Sequence, residues 1–430
     1  MNYFEELKAK IEKKQAKICV IGLGYVGLPL SVAFARKGFF VYGLDNNSSR
    51  LDKLKKSKEY ITDVKPEAVR KLINKNVFFP TGEEKVLKEA DVVVICVPTP
   101  LRKVKTPDVS FVRQAAKTIK KYLRRGQLII LESTSYPTTT REVVLPELIK
   151  SGLSEGKDFF LCFSPERVNP GDKKHPADKI PKLVGGISSK ATRLAQIFYS
   201  QAIKEIHLVS SPEVAETSKL LENTFRLVNI ALVSEFTMLA DKLGISIWEV
   251  IEAAKTKPFG FMPFYPGPGI GGHCIPTDPK FLSWKAKRLG FKTKMVDLAS
   301  YMNHFMPEYV VERVEGLLKK GTKNSKILIL GVTYKKDVKD LRESPALEII
   351  EKLQKKAKVD YSDSLIPYLD INGINLKSIS ITPENLKKYD CVLIITDHTR
   401  VDYKKIKKYA KLIFDTRNVY KKDYSNVRRL

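Results

Sequence analysis

Residues 17–45 read KICVIGLGYVGLPLSVAFARKGFFVYGLD, and the fold is decided there. Lys17–Leu23 is a short apolar run rich in β-branched residues, which predicts a buried strand. A glycine cluster follows, then a helical apolar pattern from Tyr25 to Lys37. A second apolar run, Phe39–Leu44, ends in Asp45. Strand, glycine turn, helix, strand is a βαβ unit. Gly22, Gly24 and Gly27 have GxGxxG spacing, with an acidic residue about 20 positions on. Gly22 permits the tight turn, Gly24 lets a pyrophosphate approach the backbone, and Gly27 lets helix and strand pack closely. The helix N-terminus supplies N–H groups and a positive dipole. Asp45 would bind a ribose diol and repel a 2′-phosphate, which favours NAD over NADP. A glycine-rich turn without a ligand is the competing reading.

Outward from this unit, buried-strand candidates recur at Asp91–Val97, Gln127–Glu132 and Phe159–Phe163, with helical patterns between them. Alternating helices and near-continuous apolar strands predict a parallel, doubly wound sheet. The texture changes near Ser210. Ser210-Ser-Pro-Glu213 has capping-box spacing, no glycine or proline interrupts from there to Leu243, and Gly244 is a stop. A helix of that length spans on the order of 50 Å, so it is expected to link domains or build a dimer interface. Residues 258–279, PFGFMPFYPGPGIGGHCIPTDP, are expected to form a long functional loop. A second strand-glycine element opens at Ser325–Val332. Strand candidates follow at Lys358–Tyr361, Cys391–Thr396 and Leu412–Asp415, a smaller α/β domain of the same style.

The chain has 430 residues, enough for two or three domains. The formal charge of +28 suggests an acidic partner or a solvated lysine surface; no recognition motif for nucleic acid supports the former in that guise. The five cysteines are scattered and show no CxxC spacing, so neither a disulfide framework nor structural zinc is expected. The N-terminus lacks an apolar signal region, and no run approaches the roughly 20 apolar residues of a membrane span. A cytoplasmic protein is expected.

Cys19, Cys96, Cys162 and Cys391 lie in apolar strand runs, where cysteine is usually inert. Cys274 differs: it sits in Gly271-Gly272-His-Cys274-Ile-Pro-Thr-Asp278, beside His273 and four residues before Asp278. It is the candidate nucleophile, with a Cys–His protease and a role-free loop thiol as alternatives. Lys219 and Asn223, at i and i+4, share one helix face. An ammonium and an amide there could stabilise an oxyanion, although taken alone they also fit a solvated face. Glu166, in Ser-Pro-Glu after the Phe159–Phe163 run, stands where α/β proteins place ligands. Lys335 to Arg342 offers basic donors after the second strand-glycine element.

Together these blocks resemble the nucleotide-sugar 6-dehydrogenase (UDP-glucose/GDP-mannose dehydrogenase) family. The motifs are VIGLGYVGLPL, CVPTP, ESTSYP, SPERVNPGD, KLLENTFR, GPGIGGHCIPTDP and TYKKDVKDLRES, in order along almost the whole chain. The details look most like the branch acting on N-acetylated sugars, UDP-N-acetylglucosamine 6-dehydrogenase above all, with UDP-N-acetylmannosamine dehydrogenase as near neighbour. The resemblance implies two Rossmann-like doubly wound domains joined by a central long-helix region. The corresponding boundaries are 1–209 (NAD), 210–312 (dimerisation and the cysteine loop) and 313–430 (UDP-sugar). It implies four-electron oxidation of a sugar C6 alcohol to a carboxylate with two NAD, through a thiohemiacetal and thioester on Cys274, and a homodimer.

Residue by residue, the resemblance implies that Lys219 and Asn223 handle the oxyanion and water. Asp278 supports proton transfer, and Glu166 acts as general base with Thr134 near the same water. Gly22, Gly24, Gly27, Asp45, Arg50, Thr99 and Arg342 match cofactor positions. Lys335 and the loop Tyr265–Gly272, with Tyr265, Gly271 and Gly272, match the nucleotide-sugar site. Pro170 stands where UDP-glucose enzymes carry a second glutamate. His273, Thr277, Arg167 and Asn169 also depart from those enzymes, which favours an N-acetylated substrate. A one-step dehydrogenase, which would form one NADH without a cysteine, is the competing enzyme class.

Overall fold

Four consecutive apolar residues, Ile18–Ile21, make strand β1 because nothing in them needs water. In the computed structural model, which describes residues 2–56, 58, 61, 64–102, 104, 106–168, 179–318 and 321–430, β1 lies inside an eight-stranded sheet. The other strands are β2 (Val41–Leu44), β3 (Phe78–Thr81), β4 (Val92–Ile95), β5 (Gln127–Leu131), β6 (Phe159–Phe163), β7 (Lys182–Gly186) and β8 (Ile206–Leu208). Their order is β3-β2-β1-β4-β5-β6-β7-β8, parallel throughout except for β6 against β7. β1 pairs with both β2 and β4, Ile18 facing Val41 on one side and Val92 on the other.

Both faces of this sheet are covered, which explains strands without polar alternation. Ile18, Val20, Val92 and Val94 join one core with Leu28, Val32 and Phe34 of the helix Gly27–Arg36. Cys19, Val93 and Ile95 point the other way, against Val112, Ala116 and Ile119 of the helix Ser110–Tyr122. Each such fully buried aliphatic side chain contributes about 1.5–3 kcal/mol.

The chain divides into two compact units, Met1–Glu222 with Lys280–Phe291, and Asn223–Pro279 with Lys292–Leu430. The second holds a five-stranded parallel sheet built from β9 (Lys326–Leu330), β10 (Lys358–Ser362), β13 (Cys391–Ile394), β14 (Ile413–Asp415) and β15 (Val427–Arg429), in the order β10-β9-β13-β14-β15. β11 (Tyr368–Ile371) and β12 (Ile374–Lys377) form a hairpin. Its turn residues Asn372 and Gly373 both have positive φ, 53° and 79°, the requirement of a tight primed turn. Leu328 and Leu330 face a core with Ile406, while Ile327 and Ile329 face one with Ile349 and Val310.

The long helix runs Pro212–Leu243, as its uninterrupted sequence predicts, and Gly244 ends it at φ +68°. The Ser211 hydroxyl accepts a hydrogen bond from Val214 N–H at its start. In the second unit, Leu227 and Ala231 of this helix pack on Val296 and Ala299 of the helix Lys294–Leu317. Among the described residues, no helix is long and apolar enough to cross a membrane.

One expectation needs correction. The stretch 258–279 is not loop to its end, because Cys274–Arg288 is helical. Pro276 falls in the first turn, where backbone N–H groups have no intrahelical partner anyway. Pro279 lies inside the helix and removes one hydrogen bond.

Candidate active site

In the first unit, the glycine loop follows β1 at the point where the strand order reverses between β1 and β4, the place where doubly wound sheets bind ligands. Gly22 has φ +93°, and a Cβ there would lie 2.5 Å from the Cys96 carbonyl oxygen. A Cβ on Gly27 would lie 1.9 Å from the Gly22 oxygen. Protein packing therefore requires both glycines. Gly24 is different: its Cβ would meet no atom within 4 Å, so the bare backbone is left open to a ligand. No side chain caps the helix that starts at Gly27, and the Leu28 N–H in its first turn donates to the Gly24 carbonyl at 3.1 Å.

Asp45 directly follows β2, buried, with its carboxylate accepting from Leu23 N–H at 2.7 Å and Asn47 N–H at 2.9 Å. The Arg50 guanidinium reaches it at 2.7 Å. Thr99 is buried just beyond β4. An open glycine cradle, an uncapped helix start and an acid at the end of the next strand fit the pyrophosphate and ribose of NAD.

Farther along the same sheet edge, Thr134 follows β5 and is half-buried. Glu166 follows β6, with 24% of its side chain exposed. Burial alone would raise its pKa. The Lys182 ammonium, the N–H groups of Val168 and Arg167, and the Lys219 ammonium outweigh burial and hold the carboxyl below its usual range. Val168 N–H donates to Glu166 Oε1 at 2.6 Å and Arg167 N–H at 2.7 Å. The Arg167 guanidinium is held by Glu222 at 2.6 Å and by the Pro181 carbonyl at 2.7 Å. Asn169 and Pro170 lie outside the described residues.

Lys219 and Asn223 stand one turn apart on the long helix. They are not on a solvated face: only 7% and 5% of them is exposed. In the second unit, the Asn223 amide donates to Asp278 Oδ2 at 2.5 Å. Asp278 is buried, one turn beyond the exposed Cys274 on the same helix. Cys274 is the first residue of that helix, at the positive end of the helix dipole, which favours negative charge there. The other four cysteines are buried, and burial pushes each thiol well up.

The fold also joins two motifs that are about 60 residues apart. Gly272 N–H donates to the Arg342 carbonyl at 2.9 Å. A Cβ on Gly271 would lie 2.6 Å from Tyr334 Cβ, and one on Gly272, at φ +84°, 2.7 Å from the Tyr334 ring. His273 is half-buried, its pKa lowered by burial and then by the Arg342 charge, so the ring stays neutral. Arg342 is clamped by Asp340 at 2.6 Å. Tyr265 stacks on Trp248 and donates to Glu252 at 2.8 Å. Lys335 lies half-buried just beyond β9, at the switch point of the second sheet.

The chain belongs to the UDP-glucose/GDP-mannose dehydrogenase family. The family's NAD binding domain matches residues 16–203, its central domain 213–304 and its UDP binding domain 328–422. Protein CapL of Staphylococcus aureus is 37% identical, over 95% of this chain and 97% of that one. The UDP-N-acetyl-D-glucosamine 6-dehydrogenase of Salmonella typhi is 34% identical, over 96% and 99%. The structure of the UDP-D-ManNAc dehydrogenase of Pyrococcus horikoshii aligns with a TM-score of 0.86 at 32% identity, over 96% and 98%. As a member of this family the chain is an NAD-dependent oxidoreductase.

Three sets of residues escaped the sequence reading. Glu216, on the long helix, accepts from Thr138 N–H, Thr140 N–H and the Thr140 hydroxyl at 2.5, 2.8 and 2.7 Å. It ties the loop after Thr134 to the helix one turn before Lys219, and burial pushes its pKa up to about 7 against those bonds. His398, just past β13, contacts Asp363 at 3.0 Å and accepts from Asp337 N–H at 3.0 Å, pinning the loop that carries Lys335. The polar triplet Thr396-Asp-His398 after a continuous apolar strand was the available signal. The third set is Glu132, Lys182 and Tyr199, all buried around one ammonium.

Proposed function

We propose that this chain oxidises the C6 alcohol of a UDP-N-acetylhexosamine to the carboxylate, with UDP-N-acetylglucosamine as the first substrate and UDP-N-acetylmannosamine as the second. The observation that carries the reading is the helix starting at Cys274, with buried Asp278 one turn on and bonded to the Asn223 amide. The relatives named for UDP-N-acetylglucosamine and UDP-N-acetylmannosamine support the N-acetylated class. Arg167, Asn169, Tyr265, Gly271, Gly272 and Lys335 are assigned to the nucleotide sugar. Gly22, Gly24, Gly27, Asp45, Arg50, Thr99 and Arg342 are assigned to NAD. The sequence boundaries 1–209, 210–312 and 313–430 are assigned to the NAD, central and UDP-sugar parts.

When bound, NAD supplies the hydride acceptor for both oxidations. The Cys274 thiolate adds to the C6 aldehyde, and the Lys219 ammonium and Asn223 amide stabilise the oxyanion that forms. Asp278 holds the Asn223 amide in place for that contact. At the thioester stage, Glu166 takes a proton from water positioned with Thr134. The hydroxide adds to the acyl carbon, and collapse of the tetrahedral adduct returns the Cys274 thiolate and leaves the uronate. NADH formation is expected with UDP-N-acetylglucosamine, or with its manno epimer, in an assay that also offers UDP-N-acetylgalactosamine and UDP-glucose. Turnover of UDP-glucose alone contradicts the N-acetylated assignment.

We also propose a homodimer. Leu232, Phe236, Leu239 and Leu243 form an exposed stripe at helical spacing on the long helix, and Met295, Leu298 and Tyr301 are exposed on the helix Lys294–Leu317. Sedimentation at micromolar concentration is expected to give twice the 48.8 kDa chain mass, and a monomer there refutes the dimer.

A further inference from the structure

Behind Glu166 lies a charge cluster that the mechanism above does not use. Lys182 opens β7, which runs antiparallel to β6, so its side chain comes beside the residues that follow β6. Only 5% of that side chain is exposed, and Nζ lies 3.0 Å from Glu132 Oε1 and 3.5 Å from Glu166 Oε2. Glu132 follows β5 and its side chain is fully buried. The Tyr199 hydroxyl, from the helix Ser189–Ser200, donates to the same Glu132 oxygen. Lys182 Nζ also stands 5.2 Å from the centre of the Tyr199 ring. The second Glu132 oxygen is buried without a hydrogen-bond partner among the described residues.

Two carboxylates thus share one ammonium in an apolar setting. Cys96 beyond β4, Cys162 in β6 and Lys219 of the long helix are the other titratable groups that act on this cluster. Burial raises the pKa of Glu132 and wins over Lys182 there. Burial would lower that of Lys182, but Glu132 and Glu166 reverse it and keep the ammonium charged. Proton affinity is therefore pushed apart between two neighbouring carboxyls: Glu132 tends to the acid and Glu166 to the base.

We propose that Lys182, anchored from behind by Glu132 and Tyr199, is a positioning residue that holds the Glu166 carboxylate for proton abstraction from the attacking water. The proposal rests on Glu166 being that base. The test follows acid release from a single turnover of the full-length enzyme across about pH 4 to 9. In Lys182→Met the acid limb is expected to move up by at least about one pH unit. The rate at about pH 5 then falls a few-fold and recovers toward neutral pH, where the carboxyl is ionised in both proteins. Lys182→Arg is expected to restore the limb. A purely structural role would lower the rate equally at every pH.

Should Lys182→Met fail to fold, Lys182→Met with Glu132→Gln removes one of the two stranded carboxylates. It is still expected to show the displaced limb. A folded variant with the wild-type profile overturns the proposal. Glu166→Gln separates the two ideas. Wild-type acid release in that variant refutes Glu166 as base, whereas loss of release there, with a wild-type profile in Lys182→Met, refutes only the role of Lys182.

Discussion

Replacing Cys274 by serine is expected to reduce formation of the sugar acid by at least about 1,000-fold, or about 4 kcal/mol at 1.36 kcal/mol per decade. A serine hydroxyl is almost wholly protonated near neutral pH and is a far weaker nucleophile than a thiolate. None of the remaining thiols can substitute. Cys19, Cys96, Cys162 and Cys391 are buried in or beside strands of the two sheets, and burial holds each of them protonated. The substitution removes one sulfur from an exposed helix start, so the folded state should be unchanged in a thermal melt. Chromatographic quantification of the acid decides the matter; full acid production by Cys274→Ser would rule out the thioester route.

The second large effect is expected at Lys219. Its ammonium is buried on a rigid helix, one turn from Asn223. A charge fixed there stabilises an oxyanion only as it develops, so its loss should fall on kcat and leave KM nearly unchanged. Lys219→Met is expected to lose about 10²–10³ in kcat, the scale of removing one oxyanion donor. Lys219→Arg should recover part of this, because it restores charge with different geometry. Lys219 also helps to hold Glu166 ionised, so the methionine variant should show a modest upward drift of the acid limb as well. Steady-state kinetics of Lys219→Met that match the wild type would remove Lys219 from the chemistry.

Legibility in the sequence followed the range of the interactions. The glycine loop is local: Gly22, Gly27 and Asp45 belong to one βαβ unit, and their spacing carries the steric reasons that the structure displays. Cys274 stood out by contrast with four cysteines in apolar strand runs. The long helix was plain because nothing between Pro212 and Leu243 interrupts it. The helix start at Cys274 was hidden by Pro276 and Pro279, which read as loop although the first turn tolerates the former. The edge strand Ile206–Leu208 was missed because its residues are half-buried or exposed and include a histidine. Strand Val427–Arg429 carries two arginines and ends one residue before the C-terminus. Glu132, Lys182 and Tyr199 come together from β5, β7 and a helix, with separations of 50 and 17 residues that follow no periodic rule. Only the sheet topology places them around one point.

The most direct test of the central claim is the number of NADH formed per UDP-N-acetylhexosamine consumed, with the sugar limiting and the reaction run to completion. Oxidation of an alcohol to a carboxylate through Cys274 predicts two NADH, with the uronate as product. One NADH per sugar, with the aldehyde released, would contradict it and return the chain to the class of one-step dehydrogenases.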